Sequence, residues 1–129
     1  MMKKYCSLFM SIILLCFPIH AKTLYKGKKQ QTPLEVVTTF LHKELPYELE
    51  VNDIITLQQT QAPCSEIKCQ PRTRILVTQD NLADDSVKAI RHILLLEQEN
   101  QYWKIIEQEK LFQCYHNRGH QDFSEELCL

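Results

Sequence analysis

Over residues 34–45 apolar side chains recur every three or four positions, at Leu34, Val37, Leu41 and Leu45, with Val36 and Phe40 widening the stripe. That spacing puts them on one face of an α-helix. Thr32-Pro33-Leu34-Glu35 supplies the start: Thr32 caps, Pro33 suits the first helical position, and Glu35 reaches back to the backbone of the cap. Pro46 ends the run, so the pattern predicts one amphipathic helix over 33–44. Beyond Glu48 the texture becomes β-branched. The stretch 51–59 is rich in Ile, Val, Leu and Thr, and 73–78 reads TRILVT; both predict strands. Between them lies APCSEIKCQP, a connection with two prolines flanking two cysteines, and 80–86 is a polar turn. Val87, Ile90 and Leu94 fit a helix, but the solid apolar run 93–96 and the aromatic, β-branched stretch 102–106 favour an antiparallel hairpin. Its strands are expected over 87–98 and 102–109, broken at Glu99-Asn100-Gln101, with Trp103 and Ile105 on one face and Lys104 and Ile106 on the other.

The first 21 residues follow a different rule. Lys3 and Lys4 precede an apolar run over 8–17, interrupted only by Ser11, and Pro18-Ile19-His20-Ala21 follows. Positive start, apolar middle and small closing residue are the order of a secretory signal peptide, with cleavage expected after Ala21. The run is too short for a membrane span, which needs roughly 20 residues. A lipidated Cys16 is the competing reading, but Leu15 stands where a lipoprotein signal needs a small residue. Residues 22–31, KTLYKGKKQQ, are basic and polar and are expected to form a flexible leader, leaving 32–129 as one domain. On that view Gly119→Val should disturb the chain more than Gly27→Val.

The whole chain of 129 residues carries 15 Lys and Arg against 16 Asp and Glu. Taking away the N-terminal segment removes two lysines and no acid, so the remainder is mildly acidic. Scattered charge of this sign argues against a nucleic-acid partner. Two glycines in all exclude glycine-rich phosphate loops, and no cofactor motif is present. Localisation is expected to be periplasmic or secreted.

Four cysteines remain after the signal: Cys64, Cys69, Cys114 and Cys128. In a small exported domain they read first as two disulfides. Local pairing, Cys64 with Cys69 and Cys114 with Cys128, costs the least chain entropy, and closing a loop of about 15 residues contributes roughly 3 kcal/mol. A metal is the alternative, since Cys114, His116, His120 and Cys128 offer four ligands, although zinc sites usually separate the cysteine pair from the histidine pair.

The expected architecture is α+β: one N-terminal helix packed on a curved antiparallel sheet of about four strands, with a disulfide-closed C-terminal loop. The succession of TPLEVVTTFLHKEL, strands, and a hairpin ending in NQYWKII resembles cystatin-like and nuclear-transport-factor-2-like domains. The tail, Cys114 through RGHQDFSEELC, resembles the ends of small exported bacterial proteins of unknown function. Such folds host enzymes, binding modules and accessory domains alike.

The stretch His116-Asn117-Arg118-Gly119-His120-Gln121-Asp122 holds the candidate binding residues His116, Arg118, His120 and Asp122. Two histidines, a guanidinium and a carboxylate suit an anion, or a base with its orienting acid. No nucleophile accompanies them, and the plainer reading is a solvated loop turning at Gly119. His92 reads as a satisfied core or rim histidine, His42 as surface, and Trp103 as a core anchor. Asp84-Asp85 and Glu125-Glu126 read as solvated charges. The reading that results is a non-catalytic binding or accessory module of the cell envelope, presenting a sheet face or an edge strand to an envelope or secreted partner. The alternatives are a secreted enzyme inhibitor, or a small hydrolase or metal-binding protein using the tail histidines.

Overall fold

A computed structural model describes residues 22–44, 54–64 and 69–129. The expected signal segment 1–21, Leu45, Pro46 and the expected start of a strand at Val51 lie outside them. The elements in chain order are β1 (Tyr25–Lys26), α1 (Pro33–Glu44), β2 (Ile54–Gln61), β3 (Arg72–Asp80), β4 (Val87–Glu99) and β5 (Tyr102–Cys114). All strands pair antiparallel in one sheet, ordered β1-β5-β4-β3-β2.

The helix begins as its sequence requires. Thr32 N donates to Glu35 Oε2 at 2.7 Å and Glu35 N donates to Thr32 Oγ1 at 3.3 Å, a reciprocal capping box. Those bonds, led by the one from the Thr32 backbone, hold the Glu35 carboxyl below its ordinary value. The buried face consists of Val36, Val37, Phe40 and Leu41, whereas Leu34 is 37% exposed. Four residues of the expected stripe thus form the buried face, and Leu34 stands at its margin.

That face lies on Ile75 and Val77 of β3, Leu94 and Leu96 of β4 and Ile105 of β5, with Tyr25 and Trp103 packed at the margin. Full burial of each such aliphatic side chain stabilises by about 1.5–3 kcal/mol. The β4–β5 hairpin turns at Asn100 and Gln101, both left-handed (φ 49° and 77°), the geometry that matches the twist of paired strands. Where Leu95 pairs Glu107 and Leu96 pairs Ile105, Ile106 is inserted as a bulge, and both isoleucines are buried.

The expected architecture needs correction. The chain is mostly a five-stranded antiparallel sheet with one short helix, not an α+β domain on about four strands. The additional strand comes from 22–31, the segment expected to be a leader. Leu24 N donates to Ile105 O (2.8 Å), Gly27 N to Trp103 O (2.9 Å) and Gln30 N to Gln101 O (3.1 Å), so the segment is stitched along β5. A Cβ on Gly27 would collide with the Val36 side chain, so glycine lets this segment pass directly beneath the helix.

Candidate functional site

Both expected cysteine pairs stand at disulfide distance, Cys64–Cys69 with Cα atoms 6.2 Å apart and Cys114–Cys128 with Cα atoms 5.5 Å apart. The second fastens the tail to the end of β5. Phe112 and Ser124 exchange backbone bonds of 2.7 and 3.0 Å, Cys114 N donates to His120 O at 3.0 Å, and Leu129 N donates to Arg118 O at 2.7 Å. Gly119 takes φ 135°, and a Cβ there would stand 3.0 Å from Cys114 Sγ.

Within this loop the four predicted residues do not converge. His116, Arg118 and Asp122 are exposed. His120 is half-buried, with Nδ1 2.7 Å from Asp122 O and Nε2 2.8 Å from Glu126 O. Asp122 thus meets the ring through its backbone carbonyl and not through the carboxylate that the sequence suggested as orienter. Two carbonyl oxygens can only accept, so satisfying both requires a proton on each ring nitrogen, the imidazolium. The Glu126 carbonyl and then the Asp122 carbonyl accordingly raise the His120 pKa above its ordinary value. Cys114, His120 and Cys128 place their ligand atoms within 4.8 Å of one another, and His116 stands apart from that group. Because the two sulfurs bond each other, His120 is the one donor left for a metal.

His92 lies on the helix side of β4, opposite Val77 and Lys110, and is 4% exposed. Its Nδ1 is 3.5 Å from Gln108 Nε2, while Nε2 has no hydrogen-bond partner. Burial, reinforced by the Lys110 charge, lowers its pKa to about 4. It is a core histidine, as expected, but only half satisfied. His42 is exposed, and Trp103 packs against the core. Asp84 is more than a solvated charge: its carboxylate accepts from Ser86 N at 2.7 Å and Val87 N at 2.6 Å, which starts β4 and lowers its pKa.

The most developed surface lies on the sheet face turned away from the helix. Cross-strand register aligns two complete rows there, Gln58–Leu76–Ile93–Glu109 and Thr60–Arg74–Leu95–Glu107. They line a trough of about 730 Å³. Its floor is Leu76, Ile93 and Leu95, each half-buried; exposed Arg74 and the carboxylates of Glu107 and Glu109 give it charge of both signs. At one end the chain closes over the same face, where the Arg91 guanidinium sits 3.8 Å from the centre of the Phe123 ring and Arg91 Nε donates to Thr78 Oγ1 at 2.9 Å. At the other end Arg72 and Glu97 form an ion pair of 2.7 Å. The sequence held the signal for this surface in the run 93–96. Alternation sends Leu94 and Leu96 to the helix, which leaves Ile93 and Leu95 apolar on the opposite face.

Among the described residues no helix is long and apolar enough to cross a membrane. No protein-family model, curated protein or solved structure matches this chain.

Proposed function

We propose that the protein is exported and serves as a non-catalytic binding module of the cell envelope, recognising its partner with the uncovered face of the sheet. The observation that carries this reading is the trough: an apolar floor three side chains wide, flanked by Arg74, Glu107 and Glu109, on which none of the described helices or strands lies. Such a surface suits a segment with apolar side chains for Leu76, Ile93 and Leu95 and a basic group toward the two glutamates. Two disulfides in a domain of this size support export, because thiols stay reduced in the cytosol. The lysine–apolar–alanine order of residues 1–21 supports it further. Non-catalytic action rests on the tail, where His120 is held between backbone carbonyls and the sulfur nearest it, Cys114 Sγ at 3.5 Å, is tied up with Cys128.

The test compares three forms of the oxidised domain beginning at Lys22 as baits for an envelope extract. Ile93→Lys should cut recovery of the wild-type partner at least tenfold with an unchanged melting curve, and the double change His116→Ala, His120→Ala should leave recovery intact. Equal recovery by Ile93→Lys would remove the trough from the account. Loss with the histidine variant alone would return the tail as the site.

A further inference from the structure

The edge strand β2 differs from every other element in having all eight residues exposed. Its sequence, IITLQQTQ, contains no charge, no proline and no glycine. Natural sheets normally guard a long edge with such residues, because it presents a row of unpaired backbone donors and acceptors. The opposite edge is partly occupied: β1 pairs with Lys104 and Ile105 near the start of β5, and Ser124 bridges Phe112 near its end.

The groups that β2 leaves open can be assigned. Ala62 N donates to Arg72 O at 3.1 Å, so Ala62 faces β3, and antiparallel alternation turns Thr60, Gln58, Thr56 and Ile54 the same way. The backbone N–H and C=O of Ile55, Leu57, Gln59 and Gln61 therefore point outward. By register with buried Gln79 and Val77, the side chains of Ile55 and Leu57 stand on the helix side, 44% and 43% exposed.

We propose that this edge binds a second copy of the chain, β2 against β2 antiparallel about a two-fold axis at Leu57, joining two sheets of five strands into one of ten. Three observations select this occupant. Alternation allows only registers that set outward-facing residues opposite each other, and the axis at Leu57 gives the longest such overlap with an apolar pair at its centre: Leu57 against Leu57, and Ile55 against Gln59. A charge-free strand meets its own copy without repulsion, whatever the pH. Charge on the neighbouring strand is complementary under the two-fold: Asp80 pairs Ile54 and Arg74 pairs Thr60, so the Asp80 end of one copy shares a row with the Arg74 end of the other. The axis is normal to the sheet, so both troughs open on the same side. Pairing through one strand falls near the low end of specific interfaces, roughly 1,000 Å², so a dimer dissociating on the order of 1–100 μM is expected. This inference stands whether or not the trough binds a partner.

Sedimentation equilibrium of the oxidised domain from about 1 μM to 1 mM tests it. The wild type should pass from monomer to dimer across that range. Leu57→Lys and Leu57→Glu, each at an exposed position, should weaken self-association at least tenfold while melting like the wild type, and an equimolar mixture of the two should dimerise again. A wild type that stays monomeric at 1 mM would overturn the proposal, as it must if the edge instead receives an extended segment of another protein. So would a dimer indifferent to Leu57→Lys, or a mixture of variants that fails to restore association.

Discussion

His92 and His120 place opposite demands on pH. His92 is buried with Nε2 unpartnered and a pKa near 4, so the folded state resists protonation that the unfolded chain accepts near 6.5. Its contribution is present above 6.5 and is lost as pH falls through 4, on the order of 3 kcal/mol over that window. His92→Leu removes both the orphaned nitrogen and the titration. Chemical denaturation should find it neutral or stabilising at pH 7 and markedly less acid-sensitive between pH 6.5 and 4. An acid limb unchanged in His92→Leu would show that another group carries it. His120 runs the other way, because its pKa is raised by the Glu126 and Asp122 carbonyls. Its hold on the tail is complete below the unfolded value near 6.5 and is lost as pH rises through the folded value. An NMR titration should place the His120 midpoint above that of a free histidine, and His120→Gln should remove the pH-dependent loss of protection, measured relative to intrinsic exchange rates, at the Arg118 and Leu129 amides. A midpoint at or below 6.5 would contradict the two-carbonyl geometry.

At the scale of the element, the hairpin turn is suboptimal. Gln101 adopts φ 77° where glycine costs nothing. Gln101→Gly should stabilise the fold by about 0.5–1 kcal/mol in thermal denaturation, and a loss of stability would mean that the turn relies on the Gln101 side chain. The segment before the helix offers a second test. Gly27 lies where a Cβ would strike Val36, so Gly27→Val should cost about 1–3 kcal/mol, comparable to Gly119→Val and contrary to the expectation for a leader. The two glycines illustrate what was legible in the sequence. Helix α1 was readable because Thr32-Pro33-Leu34-Glu35 encodes its start locally, and the long hairpin because its apolar and β-branched runs flank a short polar break. Strand β1 was not, because two residues make no periodic pattern; it exists only because Leu24 and Gly27 find carbonyls some eighty residues away on β5. The tail was legible in its disulfide but not in its chemistry. Sequence names Asp122 as a carboxylate, whereas the fold presents its carbonyl to His120.

Among the described residues one helix covers one face of a five-stranded sheet, and no described helix or strand covers the other face or the β2 edge. So thin an assembly depends on its crosslinks. Cys114–Cys128 holds the tail against β5 and across the Arg91 end of the trough. Reduction should therefore lower the melting temperature by several degrees, in keeping with the roughly 2–5 kcal/mol that native disulfides contribute in small secreted domains. An identical melting curve with and without reductant would deny the bridges that role. The proposed function makes recognition by the sheet face depend on oxidation and oxidation on export, and the first of these links is the most direct to measure. The intact mass of the protein recovered from its own cells, without reductant and with free thiols alkylated, should equal the chain from Lys22 to Leu129 less four hydrogens and with no alkyl group added. The mass of the full 129-residue chain with all six cysteines alkylated would contradict the account.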